Sequence, residues 1–376
     1  MNGSIRQYPL LEIDLDKLKD NLAALVERCR IASIEIAGVV KGFTALPEVA
    51  KIYTECGIRT LASSRTEQLR ALRDAHIDCE RFLIRVPMLS ELREVAELAD
   101  LSLASDVTVL RALNAECARQ GRRHRVILML DLGDLREGFY DCGELTAAAL
   151  EVERELPSLE LAGVGTNLGC YGSVAATPEK MDELTAAAEA VERAIGRRLP
   201  FISGGASTSV HMVLDGTMPP RVNQLRIGEF ALFGGIFGCY PDFMHRDVFT
   251  LRMEVVECRD KPSYPRGELT VDAFGKTRTY VDRGIRRRAL CAAGRVDYGD
   301  PSDLRPRLAG VEVLGASSDH TILDVEDAGD AVTTGSVLDF DVSYGSVVYL
   351  TNTESVRVVC RRGGVSYDAH GCGASV

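Results

Sequence analysis

Two patterns of apolar and polar positions divide this chain. From about residue 35 to residue 226, short unbroken apolar runs alternate with longer stretches whose apolar residues recur every three to four positions. The first kind reads as buried parallel strands and the second as amphipathic helices. This predicts strands near 35–40, 58–62, 81–86, 100–104, 125–132, 159–166, 199–203 and 223–226. Helices are predicted near 46–55, 65–75, 90–98, 106–120, 144–155, 178–196 and 206–215. An opening strand over 10–15 precedes them, with Asp16 expected to cap a helix that carries Leu18, Leu22, Leu25 and Val26 on one face. Eight strands alternating with helices predict a (β/α)8 barrel over residues 9–243. A doubly wound sheet is the alternative, but no Gly-x-Gly-x-x-Gly follows the first strand.

Past Phe243 the helical period disappears. Segments 248–258, 268–274, 287–294, 310–316, 321–325, 336–342 and 346–350 are short, rich in Val, Leu and Thr, and separated by Gly, Pro and Asp. They predict an all-β C-terminal domain over 244–376, with residues 1–8 expected to pair with it. The tail 361–376 has few apolar anchors and reads as loose; its His370-Gly371-Cys372 lacks a third ligand and is not taken as a metal site. No metal is expected.

Composition narrows the function. With 376 residues and 46% apolar content, the chain has enough material for a barrel and a smaller unit. Lys+Arg 44 against Asp+Glu 55 gives a net charge of −11, which argues against nucleic acid or an anionic membrane as the main partner. The short basic runs at 120–125 and 285–288 read as solvated faces or subunit contacts. The 11 cysteines are odd in number, scattered, and without a Cys-x-x-Cys pair, so reduced thiols in a cytoplasmic protein are expected. Neither a signal peptide nor an apolar run long enough to span a bilayer is apparent.

Candidate chemistry collects where the predicted barrel strands end. Gly38-Val39-Val40-Lys41-Gly42 puts a lysine at the end of the first. Such a lysine either snorkels to water or, if desolvated or beside another cation, becomes a nucleophile for a carbonyl group. The seventh strand runs into Ser203-Gly204-Gly205-Ala206-Ser207-Thr208-Ser209 ahead of a helix. Free amides, hydroxyls and a helix dipole there make either a phosphate seat or an ordinary capped turn. Arg226, at the end of the eighth strand and followed by Ile227-Gly228, is either a surface ion pair or a permanent cation that keeps a facing ring nitrogen unprotonated.

A lysine for an aldehyde, a phosphate seat and an arginine for a ring nitrogen together suit pyridoxal 5'-phosphate. The chain here resembles the fold-type III pyridoxal-phosphate enzymes of the alanine racemase superfamily, and within it the ornithine racemase branch. The residues that carry the resemblance run along nearly the whole chain in order: Leu11-Glu12-Ile13-Asp14-Leu15-Asp16, Val39-Val40-Lys41, Asp131-Leu132-Gly133-Asp134-Leu135-Arg136-Glu137-Gly138, Asn167 with Cys170-Tyr171-Gly172, Ser203-Gly204-Gly205, Leu225-Arg226-Ile227-Gly228-Glu229, Val271-Asp272-Ala273-Phe274-Gly275 and Leu314-Gly315-Ala316-Ser317-Ser318-Asp319-His320.

The resemblance implies a racemase that interconverts L- and D-amino acids, ornithine or a related diamino acid foremost. Lys41 would bond the cofactor's aldehyde. Ser207, Gly228 and Tyr344 would hold its phosphate, Arg226 would face its ring nitrogen, and Asn167 would line the site. Arg136 would reach the cofactor's phenolic oxygen or the substrate carboxylate. It also implies a homodimer in which the β domain of one subunit closes the barrel of the other. Racemisation takes a proton from one face and returns it on the other; Lys41 serves one face. Alanine racemases use a tyrosine for the other, from a segment matching Gly294-Arg295-Val296-Asp297-Tyr298, where arginine stands in its place. The Asp319-His320 turn ranks first as the replacement, ahead of Tyr298 and Cys170. Met129 stands where alanine racemases carry a carbamylated lysine that supports Arg136. Asp134, Glu137, Glu229 and Asp319 are acids that would meet a distal ammonium. The apolar stretch 231–242 leaves another side-chain preference open. Competing readings are another reaction of the same cofactor (a decarboxylase, dehydratase or aldolase) and a non-catalytic cofactor carrier, which the β domain argues against.

Overall fold

The computed structural model describes residues 7–369 except 273, 276 and 278. It divides into two units, Lys17–Arg246 and a second made of residues 1–16 with 247–376.

In the first unit eight strands close into a barrel: Glu35–Val39, Thr60–Ser63, Glu80–Leu83, Leu101–Ala104, His124–Met129, Leu159–Gly165, Phe201–Ala206 and Gln224–Ile227. All neighbours pair in parallel, and the last strand returns to the first with Gly38 opposite Ile227. The strands are short and nearly all buried because helices cover one face and the barrel interior takes the other. Ala37, Phe82, Leu103, Ile127 and Met129 fill that interior. Each large side chain taken fully out of water contributes about 1.5–3 kcal/mol. Met129 is fully buried in this core, so the position held by a modified lysine in alanine racemases is here part of the apolar filling. The helix after the seventh strand is shorter than the expected 206–215: a 3-10 turn over Ser207–Ser209 leads into Val210–Leu214.

The second unit is a nine-stranded sheet. The opening strand, Leu10–Asp14, lies within it. It pairs antiparallel with Phe249–Pro262 and parallel with Arg357–Arg362. Asp16 does not cap the helix Leu15–Ile31 but sits in its first turn, and its carboxylate accepts the Gly363 N–H at 2.7 Å. Two expected strands are absent. The described residues of 268–274 are exposed and form none, since their Val and Leu have no apolar face to cover. Residues 346–350 belong to a helix, Tyr344–Leu350, in which Ser343 Oγ accepts the Ser346 N–H and Val347 and Leu350 turn inward. The tail is also less loose than expected up to Asp368: Arg357–Arg362 and Val365–Asp368 form an antiparallel pair. His370-Gly371-Cys372 and Ala273 lie outside the described residues. Arg286 pairs with Asp324 and Asp327 and Arg287 with Asp330, while Arg288 donates to the Ser263 carbonyl at 3.1 Å. Among the described residues all cysteines are free, and no helix is long and apolar enough to cross a membrane.

Candidate active site

Lys41 opens a 3-10 turn, Lys41–Phe43, two residues past the end of the first barrel strand. Burial holds its ammonium below the usual lysine range, and the Arg136 guanidinium pushes the same way. Negative charge at Cys170 and Glu137 opposes that push, while Arg226 adds to it. The side chains that act on the lysine thus come from the ends of the fifth, sixth and eighth strands.

Arg226 is not a surface ion pair. It is 3% exposed, donating from Nη1 to Ser203 Oγ at 2.5 Å and from Nη2 to the Thr166 carbonyl at 2.6 Å. Burial lowers its pKa to about 10, so it stays charged at neutral pH. Thr166 Oγ1 in turn donates to the Leu130 carbonyl, which ties the arginine to the fifth strand's end. Asn167 follows directly, half-buried.

The loop after the seventh strand gathers polar groups at the barrel mouth. Ser207 is buried, and its Oγ accepts the backbone N–H of Gly228 at 3.2 Å and of Phe230 at 3.1 Å. Amides from the eighth strand's end therefore converge on a hydroxyl of the seventh. Gly228 has to be glycine, because a Cβ there would lie 2.9 Å from the Cβ of Val39 on the first strand. Ser209 Oγ is buried with no hydrogen-bond partner among the described residues, a spare polar atom in the same loop. A cavity of about 640 Å3 opens beside it, lined by Ser207, Thr208, His211, Phe230 and Ile236 among others. The apolar stretch 231–242 forms one wall of that cavity through Ile236, Phe237 and Cys239.

Arg136 finds its support nearby. It pairs with Glu137, its own neighbour, and donates to Cys170 Sγ at 3.1 Å. Asp134 is 1% exposed and accepts the N–H groups of Cys170, Tyr171 and Val174 at 3.2, 3.0 and 3.1 Å. It clamps the loop after the sixth strand and, at 1% exposed, is not presented to a distal ammonium. That corrects its place among the substrate-facing acids. Glu137 is likewise engaged. Sequence reasoning missed both clamps, although Asp131-Leu132-Gly133-Asp134 carries a turn signature that points to carboxylates capping backbone amides.

The residues expected from the β unit are described within that unit. Tyr344 is half-buried at the first position of the helix Tyr344–Leu350. Asp319 and His320 are exposed in a tight turn, where Ser317 N–H donates to the His320 carbonyl at 2.9 Å and His320 N–H to Ser317 Oγ at 3.1 Å. The segment 294–298 packs on this turn, with Arg295 N–H donating to the Ser317 carbonyl and Val296 N–H to that of Ser318. Arg295 lies 4.7 Å over the Phe274 ring. Tyr298 is unsuited to be the second base: it is fully buried, its hydroxyl bonds Thr321 Oγ1 at 2.6 Å, and burial pushes its pKa up to about 12.

A half-buried lysine with a lowered pKa, a buried arginine and a serine that gathers two backbone amides thus lie together at the ends of the barrel strands, where barrel enzymes keep their active sites. Residues 13–236 match the family described as alanine racemase, N-terminal domain, and the chain belongs to that family. It is 37% identical to an ornithine racemase of Acetoanaerobium sticklandii, covering 91% of this chain and 96% of that protein. With a lysine racemase of Thermotoga maritima it shares 36% identity over 91% of this chain and 95% of the relative. Among solved structures, an alanine racemase from Bacillus anthracis superposes with a TM-score of 0.73 at 18% identity, over 97% of this chain and 98% of that one. At that identity the likeness speaks for the fold.

Proposed function

We propose that this amino-acid racemase uses pyridoxal 5'-phosphate to interconvert the L and D forms of a diamino acid, ornithine first and lysine next. The substrate follows from the two relatives that match over nearly their full length. The single observation that supports the cofactor is Lys41, a half-buried lysine with a depressed pKa at a barrel mouth that also holds a buried arginine.

When bound, the cofactor withdraws electrons from the substrate's Cα–H bond and so acidifies it. Every other task falls to this chain. Lys41 would hold the cofactor through its aldehyde, and its amine would take or return the Cα proton on one face. Ser207, Gly228 and Tyr344 hold the phosphate, Arg226 keeps the ring nitrogen unprotonated, and Asn167 lines the site. Arg136, braced by Glu137, meets the substrate carboxylate. Asp319 and His320 serve the second face, each from the partner chain of a homodimer working in the cytoplasm.

The test is to load the purified protein with cofactor, reduce it with borohydride, and locate the modified peptide, which should contain Lys41. Loaded enzyme mixed with L-ornithine in D2O should lose circular dichroism while deuterium appears at Cα. Retained optical activity across a panel of amino acids, with Lys41 modified, would leave a carrier as the reading; carbon dioxide release or loss of the side chain would point to a decarboxylase or lyase.

A further inference from the structure

Of the acids at the barrel mouth, two are already spent. Asp134 is buried and holds backbone amides, and Glu137 is paired with Arg136. Glu229 differs. It is half-buried at the start of the helix Glu229–Phe233, and its carboxylate makes no hydrogen bond or ion pair among the described residues. Burial raises its pKa, and the nearby charge that counters this is Lys41. The pairing of Gly38 with Ile227 brings the two positions together at the mouth, with Lys41 three residues beyond Gly38 and Glu229 two beyond Ile227.

We propose that Glu229 is the specificity-determining residue of the site, the carboxylate that meets the distal ammonium of a diamino acid. The inference rests on the racemase reading above and names which residue selects the substrate. A half-buried carboxylate with no partner is costly, and a cation brought by the substrate offsets that cost. Lys41 does not fill the role in the working enzyme, because its nitrogen serves the cofactor and the Cα proton in turn. Arg136 and Arg226 are tied elsewhere, to Glu137 and Cys170 and to Ser203 and Thr166. The position also suits selection rather than chemistry. The backbone of 228–230 already serves the proposed phosphate seat through the Gly228 and Phe230 amides, so the Glu229 side chain is free to face the substrate beside it.

The experiment compares L-ornithine with L-norvaline, which has the same carbon chain and no distal amine, on loaded wild type, Glu229→Gln and Glu229→Asp. Norvaline is followed both by turnover and by its inhibition constant against ornithine. Losing a charged hydrogen bond should lower kcat/KM for ornithine by about 10- to 100-fold in Glu229→Gln, mostly through KM. Norvaline should change by less than about threefold, the scale of an altered neutral contact. Glu229→Asp should restore part of the ornithine preference. The visible absorbance of each variant reports that the cofactor is held. Equal losses for both compounds, with that absorbance unchanged, would overturn the assignment of Glu229 while leaving the racemase reading intact. Wild type that racemises neither compound and binds neither would overturn both.

Discussion

Two loop clusters carry the candidate chemistry, and they are built in opposite ways. In the barrel unit, the loops 131–138 and 166–174 are stitched by buried groups: Asp134 takes three backbone amides, and Arg226 is forked between Ser203 and Thr166. In the β unit, the 317–320 turn is held by backbone bonds and the Ser317 hydroxyl, and the Asp319 and His320 side chains are exposed. The first arrangement fixes side chains before any ligand arrives, which suits binding and positioning. The second leaves a titratable pair free to move protons with solvent or a substrate, which suits acid–base work. Changes in the first cluster should therefore damage stability and cofactor binding together. Changes in the second should damage turnover alone.

The strongest way to break that contrast is Lys41→Ala. It should remove the cofactor's covalent attachment and lower kcat by at least about 10⁴-fold, as expected for loss of a covalent nucleophile that is also a base. The same lysine gives a pH test. Its depressed pKa leaves more neutral amine at a given pH, so in the apoenzyme it should react with an amine-labelling reagent at lower pH than the protein's exposed lysines. Labelling read by peptide mass across pH decides this. Labelling that rises only with the bulk lysines would remove the electrostatic argument.

Next come His320→Ala and Asp319→Asn. Each should cost about 10²–10⁴-fold in turnover if it serves as a general acid or base. The melting temperature should stay within about 1 °C, as for a surface change. Turnover unaffected by both would move the second face to Cys170, the other group near Lys41. In the barrel cluster, Asp134→Ala should destabilise the fold by about 2–3 kcal/mol, because buried amides lose a charged acceptor. Denaturant melts would show it, and cofactor affinity should fall in parallel. The smallest effect belongs to Tyr298→Phe, about 1 kcal/mol for the lost bond to Thr321, with turnover kept. A large loss of turnover there would restore Tyr298 as a base.

Reading the sequence against the structure shows where local pattern suffices. The eight barrel strands are continuous apolar runs because both faces are buried, so their order and spacing could be read directly. Lys41, Ser207, Arg226 and Gly228 fall at strand ends, and the barrel rule groups them without coordinates. The failures have a common cause. Residues 346–350 and 268–274 are both rich in residues that favour strands, yet neighbours decided the outcome: one packs as a helix, and the described residues of the other pair with no strand. The division of labour among the acids was equally hidden. Asp134, Glu137 and Glu229 look alike in a string of letters, and only the amides and guanidinium around them tell a clamp and a brace from a free carboxylate.

The sequence by itself determined the barrel, the β unit and the residue types at each strand end, because burial periodicity and turn chemistry are local and survive in one dimension. Tertiary structure alone decided that the opening strand joins the β sheet, that Arg226 is buried rather than exposed, that Tyr298 is locked against Thr321, and that Glu229 is left unpaired. Each of these depends on which distant groups come within hydrogen-bonding reach and how much water is left between them. Charge, desolvation and hydrogen bonding act through space.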